Sequence, residues 1–208
     1  MALARVIEVD AQDHDGRLLA FACQAFAQRG GEVIVRPEDD ANWVRRRPGG
    51  DGADFEIVVA GLPNLLHELG HAALFDGLAD DHGIDYGLIP LRLEVDCERR
   101  ILWEELASSV ISCAYLGRAA AETDAWFAEQ VEIQGIFYGV DGDLPALRRL
   151  FRAALDVHPE EAEAVIALAY ARCEAWLRGA GAPPEIARPR RQFSLAELWS
   201  RHEALRGA

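Results

Sequence analysis

Five consecutive residues, His67-Glu68-Leu69-Gly70-His71, carry a chemistry in their types and spacing. Residues four apart on a helix stand one turn above each other, so His67 and His71 offer two imidazoles to a single metal ion. Glu68, next to the first histidine, is placed to take a proton from a metal-bound water. The chemistry expected of such a set is metal-assisted hydrolysis, with Zn2+ as the ion.

The motif lies in an apolar stretch, residues 62–75, which a helical projection divides into two faces. Leu62, Leu65, Leu66, Leu69, Ala72 and Ala73 fall on one side, and Asn64, His67 and His71 on the other. One face is there to be buried; the other turns both imidazoles toward a site. A catalytic zinc site takes three protein ligands and leaves a fourth position open, so a third ligand must come from elsewhere in the chain. Residues 96–116 read as a second helix, and it carries two adjacent carboxylates. Glu104 sits at the edge of the apolar face made by Trp103, Leu106, Ala107, Val110, Cys113 and Ala114. Glu105 falls in the middle of the polar side with Ser109 and Ser112, where a carboxylate is expected to point to water. Desolvating a carboxylate is costly unless it is paired or metal-bound. The third-ligand role therefore goes to Glu104, with Ser108 one turn on to orient it. Glu94, Asp96 and Glu98 are further alternatives.

With these residues the chain resembles the gluzincin branch of the zincin metallopeptidases, and within it the small bacterial peptidases of the ImmA/IrrE group. That group pairs a His-Glu-x-Gly-His helix with a downstream Glu-x-x-Ala-(Asn/Asp)-x-Phe-Ala helix. The resemblance runs over residues 55–116. His67 and His71 correspond to the first two zinc ligands, Glu68 to the general base and Glu104 to the third ligand, with Ala107 three positions on. Ser108 stands where Asn or Asp is usual, Val110 and Ile111 replace Phe and Ala, and the Leu-Leu-Met-Pro ending has no counterpart. The metzincin continuation is excluded, because it needs Gly at 74 and His at 77 and the chain has Leu74 and Gly77. The resemblance implies a zinc-dependent metallopeptidase that hydrolyses a peptide bond in a specific cytosolic protein or peptide. Two other functions share the motif: a zinc amidohydrolase acting on a non-peptide amide, and a regulatory or binding protein on a zincin fold.

Composition bounds these readings. The 208 residues are 50% apolar and 27% charged, an ordinary globular balance. The formal net charge of −14 argues against a nucleic-acid partner, because phosphate contacts need clustered cations. Arg45-Arg46-Arg47 and the run at 188–191 read as solvated loop charge. No apolar run reaches membrane-spanning length, and the N-terminus lacks a signal-peptide core, so a cytoplasmic location is expected. Cys23, Cys97, Cys113 and Cys173 are far apart and read as free thiols. The oligomeric state cannot be read.

The elements that must position the motif follow from periodicity. Val6–Val9, Glu32–Val35 and Phe55–Ala60 read as strands, Arg17–Gln28 as a helix and Pro37–Ala53 as loop. If the strand at 55–60 is an edge, it can pair with an extended substrate backbone. Residues 76–90 form a Gly- and Asp-rich connector holding His82 and Tyr86, which with Tyr115 are candidates for stabilising an oxyanion. Beyond Leu116, helices are expected near Ala119–Phe137, Leu144–Leu155, Glu160–Arg178 and Leu195–Leu205. The expected fold is α+β: a zincin-like core over 1–118 with a small sheet, an active-site helix and a glutamate helix. A helical extension over 119–208 closes one side of the cleft.

Overall fold

A computed structural model of the chain describes residues 13–38, 42–47, 53–81, 92–139 and 143–206. The order is α1 (His14–Ala27), β1 (Gly31–Val35), β2 (Trp43–Arg46), β3 (Phe55–Val59), α2 (Leu62–Phe75) and α3 (Asp96–Leu116). Then come α4 (Ala120–Phe137), α5 (Leu144–Val157), α6 (Pro159–Gly179), α7 (Pro184–Ala187) and α8 (Leu195–Arg206). The class is α+β, as expected. The strand expected at Val6–Val9 lies outside the described residues.

The three strands form a sheet in the order β1-β3-β2, with β1 parallel and β2 antiparallel to β3. β3 is therefore the central strand and not an edge, and every one of its five residues is buried. Such a run without alternation is what a strand covered on both faces looks like. Burying Glu56 within it is tolerated because Arg45 Nη2 donates to its carboxylate at 2.7 Å and Arg47 Nη2 lies 3.5 Å from its other oxygen. This is also where the first arginine run goes: Arg45 and Arg46 belong to β2, in a segment the sequence reads as loop. The second run is likewise engaged, Arg188 with Glu174 and Arg191 with Glu197.

Among the described residues β1 and β2 are the two edges of the sheet, and the outward backbone groups of β2 at Val44 and the N–H of Arg46 are already occupied. Val44 N–H donates to Asp81 Oδ1 at 2.5 Å, Arg46 N–H donates to Asp80 Oδ2 at 2.9 Å, and Asp81 N–H donates to Val44 O at 3.0 Å. The segment that follows α2 thus caps the strand edge with carboxylates, one of the ways an unpaired edge is blunted.

α2 and α3 lie side by side in the middle of the molecule, and α6 packs on both. At the crossing, a Cβ added to Gly70 would stand 2.8 Å from both Cα and Oγ of Ser108, so the helices meet where one has no side chain. α6 clamps the other end: Arg172 Nη1 donates to Leu74 O at 2.5 Å, a carbonyl of the last turn of α2, and at 3.3 Å to Ala73 O, which also accepts from Asp76 N–H. The core runs without a break from Leu18 in α1 to Trp199 in α8, so the helices after α3 share one core with the part that carries the motif. Two buried tryptophans anchor this mass: Trp176 packs edge-on to Phe26 with centroids 6.3 Å apart, and Trp199 packs beside Phe151 at 6.1 Å. No helix is long and apolar enough to cross a membrane among the described residues. The four cysteines are free.

α8 buries His202 between Trp199 and Phe127, 1% exposed, with neither ring nitrogen bonded among the described residues. Burial, helped by the charge of Arg148, lowers its pKa below the ordinary 6.5.

Two outcomes follow. Gly70→Ala gains helix propensity of up to about 1 kcal/mol, but overpacking costs about 1–3 kcal/mol. A net loss on the order of 1–2 kcal/mol is expected in chemical denaturation, and an unchanged midpoint would refute the tight crossing. For His202, the unfolded chain takes up a proton that the folded chain resists, so stability is full above the unfolded pKa and is lost as pH falls below it. His202→Phe should show a smaller drop in unfolding free energy between about pH 7 and pH 5 than wild type, and an equal drop would contradict this assignment.

Candidate metal centre

α2 begins abruptly after β3. Gly61 is fully extended and Pro63 occupies the first turn, where its missing N–H is not needed. The helix ends at Asp76 in the left-handed region, φ 55°. Between these stops the projected faces hold for Leu65, Leu66, Leu69 and Ala73, which are in the core, and for Asn64, His67 and His71, which line a cleft of about 910 Å³; Leu62 is only partly buried and Ala72 also borders the cleft. β2, the segment after α2, α3 and α4 complete its walls.

The carboxylate that α3 brings to the histidines is Glu105 and not Glu104. His71 Nε2 and His67 Nε2 lie 3.5 Å and 3.7 Å from Glu105 Oε2, and the two Nε2 atoms are 2.9 Å apart. Glu104 turns back along its own helix to accept from Arg100 Nε at 2.6 Å. Ser108, expected to orient the Glu104 carboxylate, instead donates to the Glu104 carbonyl at 3.0 Å and forms the crossing with Gly70. The physical reason is the burial of α3's polar side. Ser109 and Ser112 are fully buried, because α4 covers them. Trp126 Nε1 donates to Ser112 Oγ at 2.7 Å, and the serine hydroxyls are satisfied within α3. The side that was expected to face water faces the cleft and α4.

The separations suit a metal. Three ligand atoms around a tetrahedral zinc, with bonds near 2.0–2.1 Å, stand roughly 3.3 Å apart, and the three measured here are 2.9, 3.5 and 3.7 Å. Two imidazoles with a carboxylate are also a familiar catalytic zinc donor set, with a position left for solvent or substrate. These three residues can hold a metal ion.

Electrostatics point the same way. Burial alone would raise the Glu105 pKa, but the two imidazoles beside it outweigh burial and hold the carboxylate well below its usual range. His71 responds in the opposite sense: burial would lower it, yet Glu105, Glu68 and Asp81 together push it up to about 9. His67, wholly buried next to a charged His71, is pushed down. Glu68 is buried in the cleft wall, and desolvation raises its pKa to about 7, with Asp81 and Glu105 adding to the rise and a hydrogen bond from Asn42 opposing it. Asp81 rises to about 6, again through burial, against the bond it accepts from Val44 N–H. Without a metal the centre is thus two opposite charges, His71 and Glu105, in a wall of further carboxylates. A divalent cation replacing the His71 proton would balance that excess of acid.

Several partners were not legible from the motif. Gln134, fully buried on α4, donates to Glu105 Oε2 at 3.5 Å, and Asn42 and Asp81 enclose Glu68. A signal existed for Gln134: Thr123, Gln130 and Gln134 repeat at helical spacing along α4 and match the serines of α3. Uncharged polar residues on two consecutive helices, in a chain rich in charge, mark faces that bury each other. Tyr115 is excluded from oxyanion duty, because its hydroxyl is buried and donates to Ala187 O at 2.8 Å. His82 and Tyr86 lie outside the described residues. His67 Nδ1 is buried without a partner among the described residues.

In comparisons with known proteins, the chain matches no family model, no curated protein and no solved structure.

Metal uptake must displace the proton on His71. Calorimetric titration of zinc in buffers of different ionisation enthalpy should show about one proton released per ion near neutral pH in Glu68→Gln, and apparent affinity should rise about tenfold per pH unit below the His71 pKa. Binding without proton release would exclude His71 as a ligand.

Proposed function

We propose that the protein is a zinc-dependent metallopeptidase whose metal ligands are His67, His71 and Glu105 and whose general base is Glu68. The observation that carries this reading is the convergence of those three donor atoms at the wall of a cleft, with one further buried carboxylate beside them. When bound, zinc supplies Lewis acidity, polarising an amide carbonyl and lowering the pKa of water toward neutrality. Glu68 accepts the proton of the attacking water on its carboxylate and returns it to the leaving amine nitrogen; its position beside His67 and its desolvated surroundings suit that shuttle. Asn42 holds the carboxylate in place, and Gln134 holds Glu105. α4 keeps bulk water from one side of the reaction.

The regulatory alternative has one observation in its favour. A ligating imidazole is usually oriented by a bond at its other nitrogen, and His67 Nδ1 has none among the described residues. A protein that holds metal without turning over substrate would share every other feature of the centre.

Elemental analysis of purified protein separates these possibilities in two stages. Near-stoichiometric zinc is expected in wild type and in Glu104→Ala, with a loss of at least tenfold in Glu105→Ala. Glu68→Gln should retain zinc while peptide hydrolysis falls by at least about 100-fold. Zinc retained in Glu105→Ala and lost in Glu104→Ala would overturn the ligand set; hydrolysis retained in Glu68→Gln would overturn the base.

A further inference from the structure

The proposed peptidase reading leaves the substrate open, and the cleft walls narrow it. Among the described residues seven large apolar side chains are exposed, and four of them, Phe75, Ile101, Ile133 and Ile136, line this cleft; Ile133 and Ile136 also border an adjoining pocket, where Arg206 is paired with Glu132. Exposed apolar groups scattered singly need no explanation, but a cluster contiguous with a polar centre marks a binding surface. The four come from three helices, α2, α3 and α4, and so form a wall rather than a stripe on one element.

The charge of the cleft is one-sided. Its ionisable lining, apart from the two histidines, is Glu68, Asp80, Asp81, Glu105 and Glu129, and no arginine lines it among the described residues. The elements that build the cleft share this bias: the described residues 53–81, which run through β3 and α2, and 119–139, which span α4, contain neither Lys nor Arg. Away from the metal centre, a substrate carboxylate entering here would lose part of its hydration beside Asp80, Asp81 and Glu129, with no arginine of the cleft lining to offset the cost. A bulky apolar side chain would gain by covering the four exposed residues, and a basic neighbour would be drawn to Asp80 and Glu129, both exposed at the rim.

We infer that the substrate is a peptide segment with a bulky apolar side chain seated against Phe75, Ile101, Ile133 and Ile136, flanked by neutral or basic residues where it passes Asp80 and Glu129. The inference rests on the peptidase reading for its reaction, but the side-chain selection it describes is a property of the walls. Ile133 and Ile136 set the apolar preference, and Glu129 sets the discrimination against acid.

The test uses zinc-loaded full-length protein and a positional-scanning library of fluorescence-quenched heptapeptides with blocked ends. Leu, Ile, Phe or Met should dominate one position next to the cleaved bond, and Asp or Glu within two residues of it should lower kcat/KM by at least tenfold. The double variant Ile133→Ala/Ile136→Ala should flatten the apolar preference about tenfold. Glu129→Arg should recover acidic peptides several-fold, less so at high salt. Cleavage that selects acidic or small residues, or that is indifferent to both sets of variants, overturns the inference while leaving the peptidase reading intact. If no peptide is cleaved, the same peptides without quencher are titrated into Glu68→Gln and binding is read by anisotropy. Selection of apolar and basic peptides there sustains the inference while the catalytic reading fails, and failure to bind any of them overturns it.

Discussion

Two helices approach to backbone contact only where one of them has no side chain, and here that happens at Gly70, against Ser108. The position is one residue before the second histidine on α2 and one turn after Glu105 on α3. A crossing held that close places the side chains of the adjoining turns within ligand distance of each other, so Glu105 Oε2 reaches both imidazoles. The rest of the architecture holds this crossing. Arg172 caps the end of α2, α6 lies across both helices, and β3 feeds the start of α2 through an extended glycine and a proline.

The second constraint is electrostatic. Bringing Glu105, Glu68 and Asp81 out of water around two imidazoles is unfavourable unless cations compensate. The folded chain supplies one, by raising His71 to carry a proton, and leaves the surrounding carboxylates in excess. The same excess continues along the cleft, where acidic rim groups and apolar walls occur together without a single arginine among the described residues. The proposed metal binding and the proposed ligand preference would therefore be two expressions of one charge distribution, the five carboxylates that line the cleft.

Much of the fold was legible from periodicity. α3, α4, α5, α6 and α8 fall within a few residues of their expected bounds, because each has a repeat of apolar positions and is punctuated by glycine, proline or aspartate; the four-residue α7 was not expected. β2 was not legible: Trp43-Val44-Arg45-Arg46 is short, charged and flanked by turn residues, and what makes it a strand is pairing with β3 and the caps from Asp80 and Asp81. Nor was the central place of β3, since strand order is a matter of which segments meet across the sheet.

The motif itself, its helix, the side on which the imidazoles stand and the placement of a carboxylate-bearing helix after it were determined by the sequence alone, because each depends on spacing within a single element. Which of two adjacent carboxylates meets the histidines was decided only by tertiary structure. Glu104 and Glu105 differ by 100° around one helix, and a projection ranks them by assuming that the polar side of that helix faces water. In the folded protein α4 covers that side, Ser109 and Ser112 are buried beneath it, and the residue expected to be solvated is turned into the site. Periodicity reports how a helix is divided into faces; what lies opposite each face is set by the packing of elements distant in the chain.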